Sequence, residues 1–435
     1  MTLGACHPND PRTNNKAGAR TTRGRRFISN PPSLSLQVMR FSLGINYWPV
    51  SSAMYWWDRF DAGEVRQDFA LIAEAGFDSV RVFLLWENFQ PSANRISERA
   101  LQRLVTVADL ASSAGLSLVP TLFTGHMSGE NWAPEWALDL SAKSPRFPVV
   151  SGSKIVRATL KNWYADSNIL KAQCLLAREV ASALSQHPAV WAYDLGNENS
   201  NCVVPPSRDS ANRWLDQITG EIRRVDSTHA ITIGLHMEDL EEDRNLGPAE
   251  AGRVCEFLCM HGYPIYANWA ASETDALLLP FLGLITRWLG GRDVLFEEFG
   301  APAVKHPRPG RPPLLGEDQA AKFTRGAIES LHEFGLMGAM LWCYGDYAKW
   351  LWSWPPLDSA EHERYFGLWR ADHSPKPAVV EISPFKTLER KQPLEDFGWI
   401  DIQPSDYYRD PRAKLANLYA RFRERFAGSS STSSA

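Results

Sequence analysis

No stretch of this sequence is apolar for long enough to cross a bilayer, so no membrane-spanning helix is expected within it. Residues 9–32 lack the apolar core of a secretion signal, and a cytoplasmic location is the expectation. Cysteine is sparse: six in 435 residues, with no Cys-x-x-Cys pair. That excludes the disulfide framework of a small secreted domain, and the thiols are expected to be reduced. Cys255, Cys259 and His261 follow one another on a single expected strand, where side chains do not converge on one ion, so no metal site is expected. Basic charge is not concentrated either. The net charge of −4, without a basic stripe, argues against nucleic acid as a partner.

What is present is the composition of a soluble globular chain, 44% hydrophobic and 22% charged, ample to bury a large core. Residues 1–38 stand apart, rich in Arg, Asn, Pro and Gly. They read as a disordered tail, with a targeting peptide or translation from upstream of a start at Met39 as the other readings. Residues 428–435 are of low complexity and are also expected to be disordered.

Between the tails one unit recurs: an amphipathic helix, a short turn, then a short apolar strand. Strands are expected at 41–46, 79–85, 117–122, 190–195, 230–235, 256–260, 293–296 and 337–342. Eight strands alternating with helices predict an α/β fold, a (β/α)8 barrel over 39–387. A doubly wound sheet would carry a glycine-rich phosphate loop after an early strand, and none is there. Residues 388–427, with one more amphipathic helix at 413–426, read as an extension packed on the barrel.

Loop lengths orient the barrel. Helix-to-strand turns are short, whereas the strand-to-helix loops 123–168, 199–209, 301–317 and 343–361 are long. Long loops rise from the C-terminal face of such a barrel, where sites are built. The chain has 17 Trp, and Trp132, Trp136, Trp163, Trp350, Trp352 and Trp354 fall in these loops. Flat indole faces there suit the apolar face of a sugar ring.

Two carboxylates stand at strand ends on that face. The fourth strand leads into Gly196-Asn197-Glu198 and the seventh into Glu297-Glu298-Phe299-Gly300. Cleavage of a glycosidic bond needs such a pair, one to protonate the leaving oxygen and one to attack or to activate water. Asn197-Glu198 taken alone reads more readily as a helix-capping turn, and Glu297 competes with Glu298 for the attacking role. Side chains alternate along a strand, so only one of Glu297 and Glu298 is expected to face the barrel axis.

The ordered set resembles the clan A glycoside hydrolases and, within them, glycoside hydrolase family 5. The resemblance rests on Asn197-Glu198, on Glu298-Phe299-Gly300, on Arg81 in SVRVF and on His126 in LFTGH. His261-Gly262-Tyr263 on the sixth strand and Trp342 ending the eighth complete it, across residues 41–378. It implies a retaining enzyme with Glu198 as acid/base and Glu298 as nucleophile. Arg81 and Tyr263 would hold Glu298 ionised, Asn197 would bond the sugar 2-hydroxyl, His126 and His261 would line the sugar, and Trp342 would stack beneath it. An oligo- or polysaccharide substrate is implied, and no cofactor or metal.

Segments 125–136 and 355–378 resemble members acting on β-mannosides and β-mannans, and Glu-Glu-Phe-Gly is common among mannanases. A β-1,4-mannan or β-mannoside is therefore favoured over a β-glucan or β-glucoside. Two further readings compete. A carbohydrate-binding barrel without activity would have lost a carboxylate, and neither is lost. A metal-dependent hydrolase would need carboxylate partners for His126 and His261, which the sequence does not supply. Asp194 and Asp346 read as supporting acids, and Trp86 and Glu87 as equally suited to sugar contact or to packing.

Overall fold

The computed structural model describes residues 40–426, so the readings for the two tails, Met39 and Cys6 fall outside it. Eight parallel strands close into a barrel: β1 Ser42–Tyr47, β2 Ser79–Leu85, β3 Ser117–Thr124, β4 Ala192–Asn197, β5 Ala230–His236, β6 Leu258–His261, β7 Val294–Phe299 and β8 Gly338–Leu341. Neighbours in sequence are neighbours in the sheet, and β8 pairs with β1 to complete the ring.

The crossovers run along the outside as α1 Ala62–Ala75, α2 Glu98–Ser113, α3 Ser167–Leu184, α4 Arg208–Val225, α5 Pro248–Ala251, α6 Leu278–Gly290, α7 Glu317–Glu333 and α8 Pro377–Ile382. Local chemistry sets where they start. Asp61 accepts from the amides of Gly63 and Glu64, Asp166 from those of Asn168 and Ile169, and Ser207 forms a capping box with Ser210. Gly76 ends α1 at φ 101°, a conformation that a side chain disfavours. Along α3 the buried residues Ile169, Ala172, Leu176, Val180 and Leu184 form one stripe against the sheet.

The C-terminal segment covers part of the barrel's outside. Helix α9, Pro411–Phe426, lays Tyr419 and Phe422 on Phe281 of α6, with ring centroids 4.8 and 5.5 Å apart. Nearer the barrel, Leu388 accepts from the Phe41 amide at 3.0 Å, and Arg390 donates to Asp293 and to the carbonyl of Gly335.

Two strands differ usefully from expectation. Val190 makes only an isolated bridge to Leu118, so β4 begins at Ala192 and continues through Asn197. Strand β7, expected to stop at Phe296, runs on through Glu297 and Glu298 to Phe299. Register shifts interrupt the β4–β5, β6–β7 and β7–β8 pairings close to these ends.

Candidate active site

Arg81 of β2 lies at the bottom of the site and is wholly buried. Its Nε donates to Thr121 Oγ1 at 2.9 Å and to Asp194 Oδ2 at 3.1 Å. Nη2 donates to Asp194 Oδ2 at 2.7 Å and to Asn197 Oδ1 at 2.9 Å. Nη1 donates to Asn46 Oδ1 and to Glu298 Oε1. Room for this guanidinium depends on Gly234, where a Cβ would stand 3.0 Å from Arg81 Nη2. Asp194 is thus a supporting acid, as its position suggested. Burial and the neighbouring Glu297 push its pKa up to about 6, against the pull of Arg81.

Glu298 also accepts from the Tyr263 hydroxyl at 2.8 Å. Its pKa is raised, because burial and the charge of Glu198 outweigh His261, Arg81 and Tyr263, which lower it. Glu297 does not turn away from the axis as strand alternation predicted. It is fully buried, with Oε1 3.4 Å from Arg81 Nε and Oε2 3.2 Å from His261 Nε2. The register shift beside β6 and β8 breaks the simple alternation and brings both carboxylates to the same cation.

Glu198 leaves β4 in the left-handed conformation, φ 49° and ψ 46°, which is uncommon for a residue with a side chain. Its Oε2 accepts from Asn201 Nδ2 at 3.0 Å, and its Oε1 lies 3.1 Å from His261 Nδ1. Burial opposes its charge, but His236, then His261 and His126, hold its pKa well below the usual carboxylate range. His261, expected merely to line a sugar, is a bridge between Glu198 and Glu297. Although burial disfavours its charge, Glu298, Glu198 and Glu297 push its pKa up to about 10. The expectation that His261 lacks carboxylate partners is therefore corrected. Oxygens of Glu198 and Glu298 and a nitrogen of His261 all lie within 4.8 Å of one another. An imidazolium has no lone pair for a metal, so this triad suits proton transfer better than ion binding.

His126 is different. Burial lowers its pKa, against the pull of Glu198. Its Nδ1 pairs with Asn131 Oδ1 at 2.9 Å, which leaves Nε2, 4.0 Å from Glu198, as an acceptor. Asn197 donates to the His126 carbonyl at 2.8 Å. Trp342 packs edge-on to Phe83 with centroids 5.7 Å apart. His126, Asn197, Glu198, His261, Tyr263, Glu298 and Trp342 all line one cavity of about 390 Å³, within the range of ligand pockets.

Other readings fare differently. Trp132 and Trp163 are buried in the core, and none of the six loop tryptophans lines the cavity. Trp86 is buried against Trp136 and Trp163, and Glu87 accepts from the Gly152 amide, so both serve packing. Asp346 pairs with Lys376 at 2.8 Å. The five described cysteines are free, and Cys259 faces Thr232 rather than a metal set with Cys255. Phe147, His236, Tyr266 and Glu363 line the cavity without having been anticipated. Only His236, one residue past the expected end of β5, carried a positional signal.

Fold and site together define a (β/α)8 barrel with paired carboxylates at its C-terminal face. Residues 41–325 match the cellulase family, glycosyl hydrolase family 5, and the chain belongs to it. It is similar to mannan endo-1,4-beta-mannosidase 2 of Oryza sativa subsp. japonica, 24% identical over 245 residues, 48% of this chain and 52% of the rice protein. The chain spans about half the length of the curated relatives it matches. Among solved structures, it resembles a GH5_18 protein from Streptomyces cattleya in complex with GlcNAc, with TM-score 0.74, 22% identity and coverage of 90% and 92% of the two chains. The exo-beta-1,4-mannosidase of Opitutaceae bacterium strain TAV5 superposes with TM-score 0.63 at 25% identity, over 80% of this chain and 59% of that one.

Proposed function

We propose that the chain is a retaining β-glycoside hydrolase acting on β-1,4-mannan or β-mannosides. The observation that carries the mechanism is the approach of Glu198 and Glu298 oxygens to within 4.8 Å. Double displacement calls for carboxyls about 5–5.5 Å apart, whereas inversion needs about 6.5–9.5 Å to admit a water. Glu298 attacks the anomeric carbon as the bond from that carbon to the leaving oxygen breaks. Glu198 gives its proton to that oxygen. It then takes a proton from water, whose oxygen displaces Glu298 and frees the sugar. Arg81 and Tyr263 donate to Glu298, which favours its anionic form against burial and aims it. His261 Nδ1 is close enough to Glu198 to pass it the proton that the first step consumes. Asn197 and the free acceptor of His126 face the sugar hydroxyls, and Trp342 stacks beneath the ring.

Mannose is favoured by the curated relatives, which are mannan endo-1,4-beta-mannosidases, and by the exo-mannosidase structure. A Streptomyces cattleya GH5_18 variant bound to Manb1-4GlcNAc adds to this, at TM-score 0.72 and 21% identity. The cellulase description of the family supports a second reading, a β-1,4-glucan or β-glucoside. Initial rates on nitrophenyl β-mannoside and β-glucoside, beside soluble mannan and glucan, decide between them. A 2-deoxy-2-fluoro glycoside of the preferred sugar is expected to leave a covalent adduct on Glu298. Full turnover by Glu298→Ala would refute the mechanism.

A further inference from the structure

Glu297 stands behind the cavity rather than on its wall, wholly buried beside Glu298 on β7. A charge in such a place is costly unless a cation or a donor answers it. Two groups are near enough to do so. Arg81 is one, but the fit is poor. Its Nε stands 3.4 Å from Glu297 Oε1 and spends its hydrogen bonds on Thr121 and Asp194, and Glu297 Oε1 is left without one.

His261 is the other, and there the geometry is good. Glu297 Oε2 lies 3.2 Å from Nε2, while the opposite ring nitrogen, Nδ1, lies 3.1 Å from Glu198 Oε1. Gly234 on β5 leaves room for the ring, since a Cβ there would stand 3.1 Å from His261 Cε1. Two more charged groups face the imidazole: Glu298, with Oε2 3.6 Å from Nδ1, and Arg81 on β2, which opposes its charge. His236 on β5 and His126 on β3 reach Glu198 instead, each at 4.0 Å.

A neutral imidazole keeps one proton, and the partner of each nitrogen decides where. Burial opposes the charge of Glu297, but Arg81 and His261 hold its pKa below the ordinary value. An ionised carboxylate can only accept, so Nε2 must be the donor. Nδ1 is then the nitrogen left to gain or lose a proton against Glu198.

We propose that Glu297 is a positioning residue for the acid/base step: it fixes one proton of His261 on Nε2 and so reserves Nδ1 for the proton shared with Glu198. This rests on the hydrolase reading above. In the first half-reaction the shared proton leaves the pair and forms the O–H bond of the departing group. The bond from that oxygen to the anomeric carbon breaks as Glu298 bonds the carbon. His261 is then neutral, with its Nε2 proton still donated to Glu297, and Glu198 is an anion. In the second half-reaction an O–H bond of water breaks, its proton returns to the pair and its oxygen displaces Glu298.

The test compares the whole chain with Glu297→Gln, which keeps the shape and removes the charge. The substrates are phenyl and 2,4-dinitrophenyl β-glycosides of mannose and glucose and of their β-1,4-linked trimers. Phenolate needs a proton to leave and dinitrophenolate does not, and kcat/KM reads the first half-reaction of each. The variant is expected to lose roughly tenfold or more on the phenyl glycoside and to stay near wild type on the dinitrophenyl one. The alkaline limb of its kcat/KM should move to lower pH, because the pair loses its proton more easily. Equal losses on both substrates would make Glu297 a partner of Arg81 alone and overturn the proposal, as would an unchanged phenyl rate and pH profile. If the Gln variant does not fold, Glu297→Asp carries the test, with the same split between substrates expected at smaller size. A wild-type protein that cleaves none of these glycosides, and leaves no fluoro-sugar adduct on Glu298, would overturn the hydrolase reading as well.

Discussion

Arg81 reaches one oxygen of Asp194 twice, through Nη2 at 2.7 Å and Nε at 3.1 Å. That grip fixes the remaining nitrogen, Nη1, beneath Glu298. Arg81→Met would leave Asp194, Glu297 and Glu298 buried without their cation, at a cost of about 3–5 kcal/mol. Urea unfolding should show that loss. Arg81→Lys keeps the charge but not the fork, so its stability should fall less while kcat drops by roughly 10–100-fold. Wild-type kcat in the Lys variant would contradict the aiming role.

Tyr263→Phe removes one donor from Glu298 and little else. A hydrogen bond to a charged group contributes about 1.5–3 kcal/mol, so kcat should fall by roughly 10–100-fold. Thermal stability should change little. A large stability loss with unchanged kcat would make Tyr263 a packing residue.

The pH profile offers a signed test. His236 Nδ1 stands 4.0 Å from Glu198 Oε2 and, together with His261 and His126, lowers the Glu198 pKa against burial. Glu198 acts as the acid with a proton that it shares with His261, so activity falls as pH rises and the pair loses that proton. His236→Asn removes that field and raises the pKa. The alkaline limb of kcat/KM should therefore move to higher pH, and a shift the other way would refute the assignment.

Lys376 is buried and donates to Asp346 at 2.8 Å and to the carbonyls of Ala303 and Tyr365 at 2.9 and 3.0 Å. It ties the loop after β8 to the barrel. Burial already pushes Asp346 up from 3.8 to about 7, so its protonated form is the one the fold favours. That preference is fully available below pH 3.8 and is lost as pH rises through about 7. Lys376→Met should destabilise by about 3–5 kcal/mol where Asp346 is ionised. Thermal melts should therefore show a greater penalty at pH 8 than at pH 5.

Much of the molecule was legible because its signals are local. Helix starts are written in Asp61, Asp166 and Ser207, whose side chains cap amides two or three residues away. Strand ends carried Glu198 and Glu298, and parallel closure brings such ends to one face. The loop tryptophans misled for the opposite reason. Whether an indole meets sugar or protein depends on which other loop arrives beside it, and Trp132 and Trp354 both meet Tyr55.

The sequence by itself determined the repeating helix–strand unit, the order of the strands and the identity of the two facing carboxylates. Helical period, strand alternation and capping act within a few residues, so they can be read along the chain. Only the tertiary structure decided that Glu297 shares Arg81 with Glu298, that His261 bridges Glu198 and Glu297, and that Ser128 and Glu363 meet across 235 residues. Those contacts depend on the register at barrel closure and on how separate loops pack, and neither is encoded at any single stretch of chain.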